Sequence, residues 1–134
     1  MAPQDDPAIP NASKLYRRIP PDKVIRDDNN AGVFRPSSAM YGPVEMSVVL
    51  ESKMDPGRDL ASALGEFTDH FLAATTTEQA RCEEEQAIAH TPTAEEPAHG
   101  DVCGKKSKTR RGRFAKKAEW AIGPPEGFEP PKGD

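Results

Sequence analysis

The residues that could do chemistry fall into three groups, and the first is a set of cysteines and histidines. Cys82, His90, His99 and Cys103 are residue types that bind zinc. Their spacing is C-x7-H-x8-H-x3-C, which fits no common closed zinc site. On a shared strand, His99 and Cys103 would stand roughly 13 Å apart, too far for one ion. We therefore predict no metal site, no cofactor and two free thiols.

The second group is an arginine, a serine and a glutamate that follow one another along the chain. Arg17 alternates with two apolar residues, so in a strand its side chain points inward and needs a carboxylate or phosphate partner. Arg17, Ser37 and then Glu45 or Glu51 resemble, in their order, the Arg, Ser and Glu of ADP-ribosyltransferase folds. That resemblance implies an NAD-consuming enzyme or toxin. The alternative is a structural ion pair.

His99 is the fourth candidate for catalysis. It stands at the start of a predicted strand, where a side chain can be held between two elements. A histidine in that position more often makes a structural hydrogen bond, and this alternative is favoured. The chain contains no Walker loop, HExxH or GxSxG motif. The motifs therefore favour a protein that is not an enzyme.

The third group is a basic segment at residues 105–117, which reads KKSKTRRGRFAKK. It holds eight of the 18 basic residues and none of the 22 acidic ones, so the rest of the chain has a charge balance of −12. Such a helix is typical of a phosphate-binding surface, a site for an acidic partner, or a solvated face resting on the protein's own acidic loop at 83–85. The candidate binding residues are Lys105, Lys106, Lys108, Arg110, Arg111, Arg113, Lys116 and Lys117.

The composition limits the scaffold that can position these groups. Only 21 of the 134 residues are Leu, Ile, Val or Phe, which predicts a thin core and excludes a large multi-layer enzyme. No run of about 18 apolar residues occurs, so we expect no membrane span. The first ten residues contain no basic residue, unlike a secretory signal. We therefore predict a cytoplasmic protein with reduced cysteines.

Periodicity predicts a small single α+β domain at residues 14–122, with a short, mostly antiparallel sheet and two to three helices. In one predicted strand, Met46, Val48 and Leu50 share a face. The predicted extended segments are 15–19, 33–39, 45–51, 71–76, 86–90 and 98–103, and the predicted helices are 58–67, 77–85 and 107–121. Proline, glycine and polar residues predict disordered tails at 1–13 and 123–134.

Several pieces of the chain resemble, in order, a group of short bacterial proteins. They are LYRRI at 15–19, RPSSA at 35–39, EMSV at 45–48, and PAH, GKK and AEW between 97 and 120. The resemblance spans residues 14–122 but not 67–92. It implies a bacterial single domain and brings no activity with it. The residues for which it implies roles are Arg17, Arg18, Ser37, Ser38, His99 and Trp120.

Together these observations favour a non-catalytic accessory or adaptor protein that docks on a macromolecular partner. A partner can bury surface that a thin core leaves exposed. We expect a protein partner and no membrane contact, and the oligomeric state stays open. Nucleic-acid binding through 105–117 is the first alternative, and an ADP-ribosyltransferase-like enzyme or toxin is the second.

Overall fold

The structure is a computed structural model that describes residues 5–27, 33–83 and 86–130. It is a small single domain of the α+β class with a mostly antiparallel sheet, as predicted. The strands are β1 (Lys14–Ile19), β2 (Val24–Asp27), β3 (Val33–Pro36), β4 (Glu45–Leu50), β5 (Phe71–Thr76), β6 (Ala87–His90), β7 (His99–Cys103) and β8 (Glu119–Ile122). The helices are α1 (Thr77–Arg81) and α2 (Lys108–Lys117), and short 3-10 turns occupy Pro21–Lys23, Ser38–Tyr41, Glu51–Lys53 and Leu60–Leu64.

Six strands form one antiparallel sheet in the order β6-β7-β4-β1-β5-β8, while β2 and β3 pair separately. β1 is central and pairs with β5 along its whole length. With β4 it forms only two residue pairs, Leu15 with Leu50 and Tyr16 with Val49. Beyond these pairs the two strands separate. We call this opening, between residues 17–19 and 45–48, the seam.

One face of the sheet, which we call the first face, carries the larger hydrophobic core. Met46, Val48 and Leu50 are buried there, which confirms the predicted alternation along β4. This face is covered by α2 and by the 3-10 turn that ends at Tyr41. The Tyr41 and Phe114 rings stack with their centroids 5.7 Å apart. The covered face therefore fixes where the basic helix lies.

The second face of the sheet is only partly covered. Tyr16 and Val49 pack there beneath Ala63 and Leu64. These two covering residues belong to the predicted helix 58–67, of which five residues form a 3-10 turn. Away from this turn the second face is open to solvent near Glu45 and Ser47, both of which are exposed.

The predicted helix 107–121 is wrong at its C-terminal end. α2 stops at Lys117, because Ala118 is extended, with φ −66° and ψ 141°. The residues that follow form β8, in which Trp120 pairs with Ala73 and Ile122 pairs with Leu72. Aromatic and β-branched side chains fit a pleated surface, and the edge of β5 offers them a hydrogen-bonding partner. Tertiary pairing thus overrides the helical periodicity.

Both helices of the described residues are short. α1 has five residues and begins with a capping box, in which the Thr76 side chain accepts from Gln79 N and the Gln79 side chain accepts from Thr76 N. α2 has ten residues. Within the described ranges no helix has the length and apolar character needed to cross a membrane.

The N-terminal tail was predicted to be disordered, but residues 5–13 pack on the domain. Ile9 is fully buried, which supplies the apolar contact that the polar composition hides. The Arg81 Nη1 donates to Ile9 O at 2.7 Å. Asp6 N donates to Ile88 O at 2.8 Å, so this segment covers the outer edge of β6. Residues 5–13 of the predicted tail therefore make specific contacts with the domain, and residues 1–4 lie outside the described residues.

The C-terminal tail, predicted to be disordered at 123–134, also contacts the domain within residues 123–130, and residues 131–134 lie outside the described residues. The Phe128 ring lies edge-on to Phe71, with centroids 5.2 Å apart, and edge-on to Phe34 at 6.0 Å. One aromatic residue is sufficient to anchor an otherwise polar segment, because aromatic rings bury a large apolar area. Composition averaged over the tail does not show this.

Candidate functional site

The basic segment 105–117 is attached to the first face of the sheet through two residues of α2. Phe114 and Ala115 are the buried residues of this helix. Ser107 caps its start by accepting from Arg110 N at 3.2 Å. Because two adjacent residues occupy a single side of a helix, most of the basic side chains project from the remaining sides.

Two of the arginines on α2 contact one carboxylate of the protein itself. The Arg113 Nη2 lies 2.7 Å from Glu83 Oε1, and its Nε lies 3.0 Å from both oxygens. Arg110 Nε lies 3.7 Å from the same carboxylate. The hydrogen bond from Arg113 holds the pKa of Glu83 below its ordinary value. An internal acidic residue therefore neutralises part of the segment, as the solvated-face alternative supposed.

Lys106 is a buried residue, unlike its neighbours. Its side chain is 4% exposed. Its Nζ donates to Pro43 O at 2.8 Å and to Val102 O and Gly104 O at 2.9 Å. Burial lowers its pKa to about 8. Lys106 therefore fastens the start of the basic segment to the ends of β4 and β7, and it is not available to a partner.

Four lysines remain as an exposed cationic surface. They are Lys105, Lys108, Lys116 and Lys117, and we call them the lysine surface. Among the residues that the structure describes, none of the four ammonium groups makes a hydrogen bond or an ion pair. Arg111 is also exposed, but its Nε donates to Lys106 O at 2.9 Å. Lys108, Lys116 and Lys117 thus lie along α2, which is about 15 Å long, and Lys105 lies just before the helix.

The four catalytic candidates do not come together in one cleft. Arg17 and Glu45 lie on opposite faces of the sheet. Leu15 and Met46 both belong to the core of the first face. Side chains alternate along a strand, so Arg17 shares that face with Leu15, whereas Glu45, next to Met46, is on the second face. Ser37 caps a 3-10 turn by accepting from Ala39 N at 3.3 Å.

His99 and Glu45 share the second face but lie at different ends of one ladder. Glu45 pairs with Cys103, and His99 pairs with Val49, which places them roughly 13 Å apart. Glu51, the other candidate glutamate, accepts a hydrogen bond from the Tyr16 hydroxyl at 3.2 Å. The order Arg, Ser, Glu therefore does not correspond to one active site in this fold.

The cysteines and histidines of the first group are also separated. Within residues 5–27, 33–83 and 86–130, no three Cys, His, Asp or Glu side chains are arranged to hold a metal ion. Cys82 is an exposed free thiol and Cys103 is a half-buried one. The His90 Nε2 lies 2.9 Å from Pro97 O. These side chains serve separate local contacts.

A cavity of about 110 Å³ opens at the seam, lined in part by Arg17, Arg18, Ser47 and His99. The His99 Nδ1 lies 3.0 Å from both the main-chain oxygen and the hydroxyl of Thr91. The Thr91 hydroxyl also lies 3.0 Å from Asp101 Oδ2. Three residues for which the bacterial resemblance implies roles, Arg17, Arg18 and His99, therefore line this cavity.

The other residues for which that resemblance implies roles lie elsewhere. Ser37 and Ser38 are in the 38–41 turn and its cap, and Trp120 Nε1 donates to Phe34 O at 3.2 Å. The Ser37 contact caps the 3-10 turn, and the Trp120 contact joins β8 to β3. They supply no chemistry to the seam.

Sequence reasoning missed one ionic contact beside the seam. Arg58 and Glu96 form a two-point ion pair, in which Arg58 donates through both terminal nitrogens. This hydrogen bonding lowers the pKa of Glu96. The two residues are 38 positions apart, and no local pattern links them. The available signal in the sequence was Glu96, which follows a turn at Thr93 and is buried.

Comparisons with known proteins give no further constraint. A search of protein-family models found no match, and neither did searches of curated proteins and of solved structures. The resemblance to short bacterial proteins therefore stays a prediction. Function has to be argued from the lysine surface and the seam.

Proposed function

We propose that this protein is a non-catalytic docking protein that binds an acidic surface of a partner protein through its lysine surface. The observation that carries the proposal is the contrast between the cations of the basic segment. Lys106, Arg110 and Arg113 are engaged by the protein itself, whereas the four lysines of the lysine surface are exposed. The internal contacts orient α2 and leave the lysines facing outward.

The charge of the rest of the molecule supports a protein partner over a nucleic acid. Residues outside 105–117 contain 10 basic and 22 acidic side chains. A nucleic acid longer than the 15 Å of α2 would bring its phosphates within a Debye length, about 8 Å, of this acidic body. A compact acidic patch on a protein avoids that repulsion.

The sizes of the cavities support docking over small-molecule catalysis. The seam cavity measures about 110 Å³, and a second cavity beside Lys14 and Lys117 measures about 70 Å³. Pockets for drug-sized substrates usually span about 300–1,000 Å³. Neither cavity brings together the arginine, serine and glutamate that the ADP-ribosyltransferase alternative needs.

The proposal is tested by calorimetric titration with two defined probes, a short poly-glutamate peptide and a DNA strand of equal charge. We expect the peptide to bind more tightly than the DNA, with an affinity that falls as salt rises. The double variant Lys108→Gln/Lys116→Gln should lose about 1.4 kcal/mol, or tenfold in affinity, at about 0.7 kcal/mol for each exposed charge.

A matched control removes the same charge elsewhere. Lys23 and Lys53 lie in 3-10 turns outside the basic segment, and Lys23→Gln/Lys53→Gln should bind the peptide within about twofold of the wild type. Equal losses in the two double variants would contradict docking through α2. Tighter binding of the DNA would assign the surface to nucleic acid, and no binding of either probe would refute the proposal.

A further inference from the structure

The seam is a gap in an otherwise continuous sheet. β1 continues to pair with β5 through Ile19, and β4 continues to pair with β7 from Glu45, yet the two strands form no ladder pair with each other beyond Tyr16 and Val49. The Arg17 Nη1 donates to Ser47 O at 2.9 Å, which is a carbonyl that a paired strand would otherwise use. A guanidinium thus takes the place of main-chain pairing.

Two successive arginines of β1 reach the seam from opposite faces of the sheet, and neither has a carboxylate within ion-pair distance among the described residues. Arg17 donates through Nε to Met40 O at 3.1 Å, and Arg18 donates through Nε to Ala63 O at 2.8 Å. Within the described ranges neither arginine forms an ion pair. Burial lowers the pKa of Arg17, which means that its charge is poorly stabilised where it lies. The hydrogen-bond partners of Arg17 are carbonyls, whereas Arg18 also lies over the Phe67 ring, with its Cζ 5.5 Å from the ring centroid. A carbonyl or a ring carries no full negative charge, so neither guanidinium is neutralised as it would be by a carboxylate.

Main-chain groups at the seam point toward the same space. Leu50 N donates to Ala98 O, away from β1. Because main-chain groups alternate along an antiparallel strand, those of Ser47 are directed toward β1 and those of Arg18 toward β4. Backbone N–H groups beside arginines form a common setting for anions.

His99 supplies one more polar group to the cavity. Its Nδ1 donates to the Thr91 main-chain oxygen, and its Nε2 makes no hydrogen bond within the part of the chain that the structure describes. Nε2 of the neutral ring can accept from the hydroxyl of a protonated phosphate, and Nε2 of the imidazolium form donates to an anion. Glu96 is paired with Arg58, and Asp101 accepts from the neutral Thr91 hydroxyl. Among the described residues that line the cavity there are two arginines and no acidic residue.

We propose that the seam cavity binds a small oxyanion group, a phosphate or a carboxylate, between Arg17, Arg18 and His99. A cavity of about 110 Å³ accepts a group of four or five heavy atoms and not a nucleotide. The bound group balances the charge of the two guanidinium groups and fills the gap in the sheet. This site is separate from the lysine surface and does not depend on it.

The test is titration of the full chain with inorganic phosphate, and in parallel with acetate, followed by amide chemical shifts. We expect saturable binding, with the largest shifts at Tyr16, Arg18, Ser47 and His99. The two anions distinguish a phosphate site from a carboxylate site, and saturation by either one supports the proposal. Arg18→Gln should weaken binding about tenfold or more, because a charge-assisted donor is lost.

Two further variants keep the test decisive. Arg26 is an exposed arginine over the Phe34 ring, so Arg26→Gln removes an equal charge away from the seam and should leave binding unchanged. His99→Gln gives a second loss of binding if Arg18→Gln fails to fold. Shifts confined to residues 105–117 would overturn the site and leave docking by the lysine surface intact. So would saturation by neither anion, or equal effects of Arg18→Gln and Arg26→Gln.

Discussion

Replacing Gly100 by alanine tests the strand arrangement that brings His99 to the seam. Gly100 lies in β7 between β4 and β6, where it pairs with Val48 and His90. A Cβ atom at this position would lie 2.7 Å from Leu50 Cδ1 and 2.8 Å from Ala89 O. These separations are well below the 3.5–4.0 Å of a good carbon contact, so either the strands or Leu50 must move.

The expected loss of stability follows from which atoms the added Cβ would contact. Ala89 O belongs to the main chain of β6 and cannot turn away as a side chain can, and Leu50 is fully buried. Overpacking of a core by one methyl group costs about 1–3 kcal/mol, and we expect a value near 3 kcal/mol for Gly100→Ala. For a chain of this length that loss lowers Tm by roughly 10 °C.

The assay is urea unfolding at neutral pH, with Gly112→Ala as the control. Gly112 lies in α2, and a Cβ atom there meets nothing within 4 Å. Because alanine is the better helix former, Gly112→Ala should raise stability by up to about 1 kcal/mol. A loss below about 0.5 kcal/mol for Gly100→Ala would refute the close approach of β6, β7 and β4.

Two further predictions concern charge and pH. The pKa of Glu83 is lowered by Arg113, so its contribution to stability is present above its ordinary pKa of 4.5 and is lost as pH falls through the folded value. Glu83→Gln should therefore unfold at a lower temperature than the wild type at neutral pH and at the same temperature in strong acid. A difference in unfolding temperature between the variant and the wild type that persists in acid would contradict this. Burial lowers the pKa of Lys106 from 10.5 to about 8, so the unfolded chain binds more protons between these values. The free energy of unfolding of the wild type should accordingly rise with pH relative to Lys106→Met across that window. Urea titrations at several pH values measure the difference, and a constant difference would show that Lys106 does not titrate in this way.

The sequence is a good guide to the strands whose side chains alternate. Residues 45–51 show a clear period of two, and the structure places β4 there with the predicted face inward. In residues 119–122, by contrast, the apolar side chains continue the helical pattern of the preceding segment. These residues form a strand because they pair with β5. Local periodicity cannot report a partner that lies more than 40 residues away.

The sequence also does not predict which charged residues are buried or what their partners are. Lys106 is one of eight cations in a segment that reads as a uniform basic run, but three carbonyls at the ends of β4 and β7 enclose its ammonium group. Arg17 is inward, as alternation predicts, but its partners are carbonyls and not a carboxylate. In both cases the partner is set by how strands end or separate, which is a property of the tertiary fold.

The central claim is that the lysine surface is the docking site, and mapping a bound acidic peptide on the protein tests it most directly. Poly-glutamate titrated into labelled protein, and followed by amide chemical shifts, reports which residues it contacts. We predict the largest shifts within residues 105–117, at the positions of the lysine surface, and their loss in Lys108→Gln/Lys116→Gln. Shifts centred on the seam or the β2–β3 pair, or unchanged in that variant, would contradict the claim.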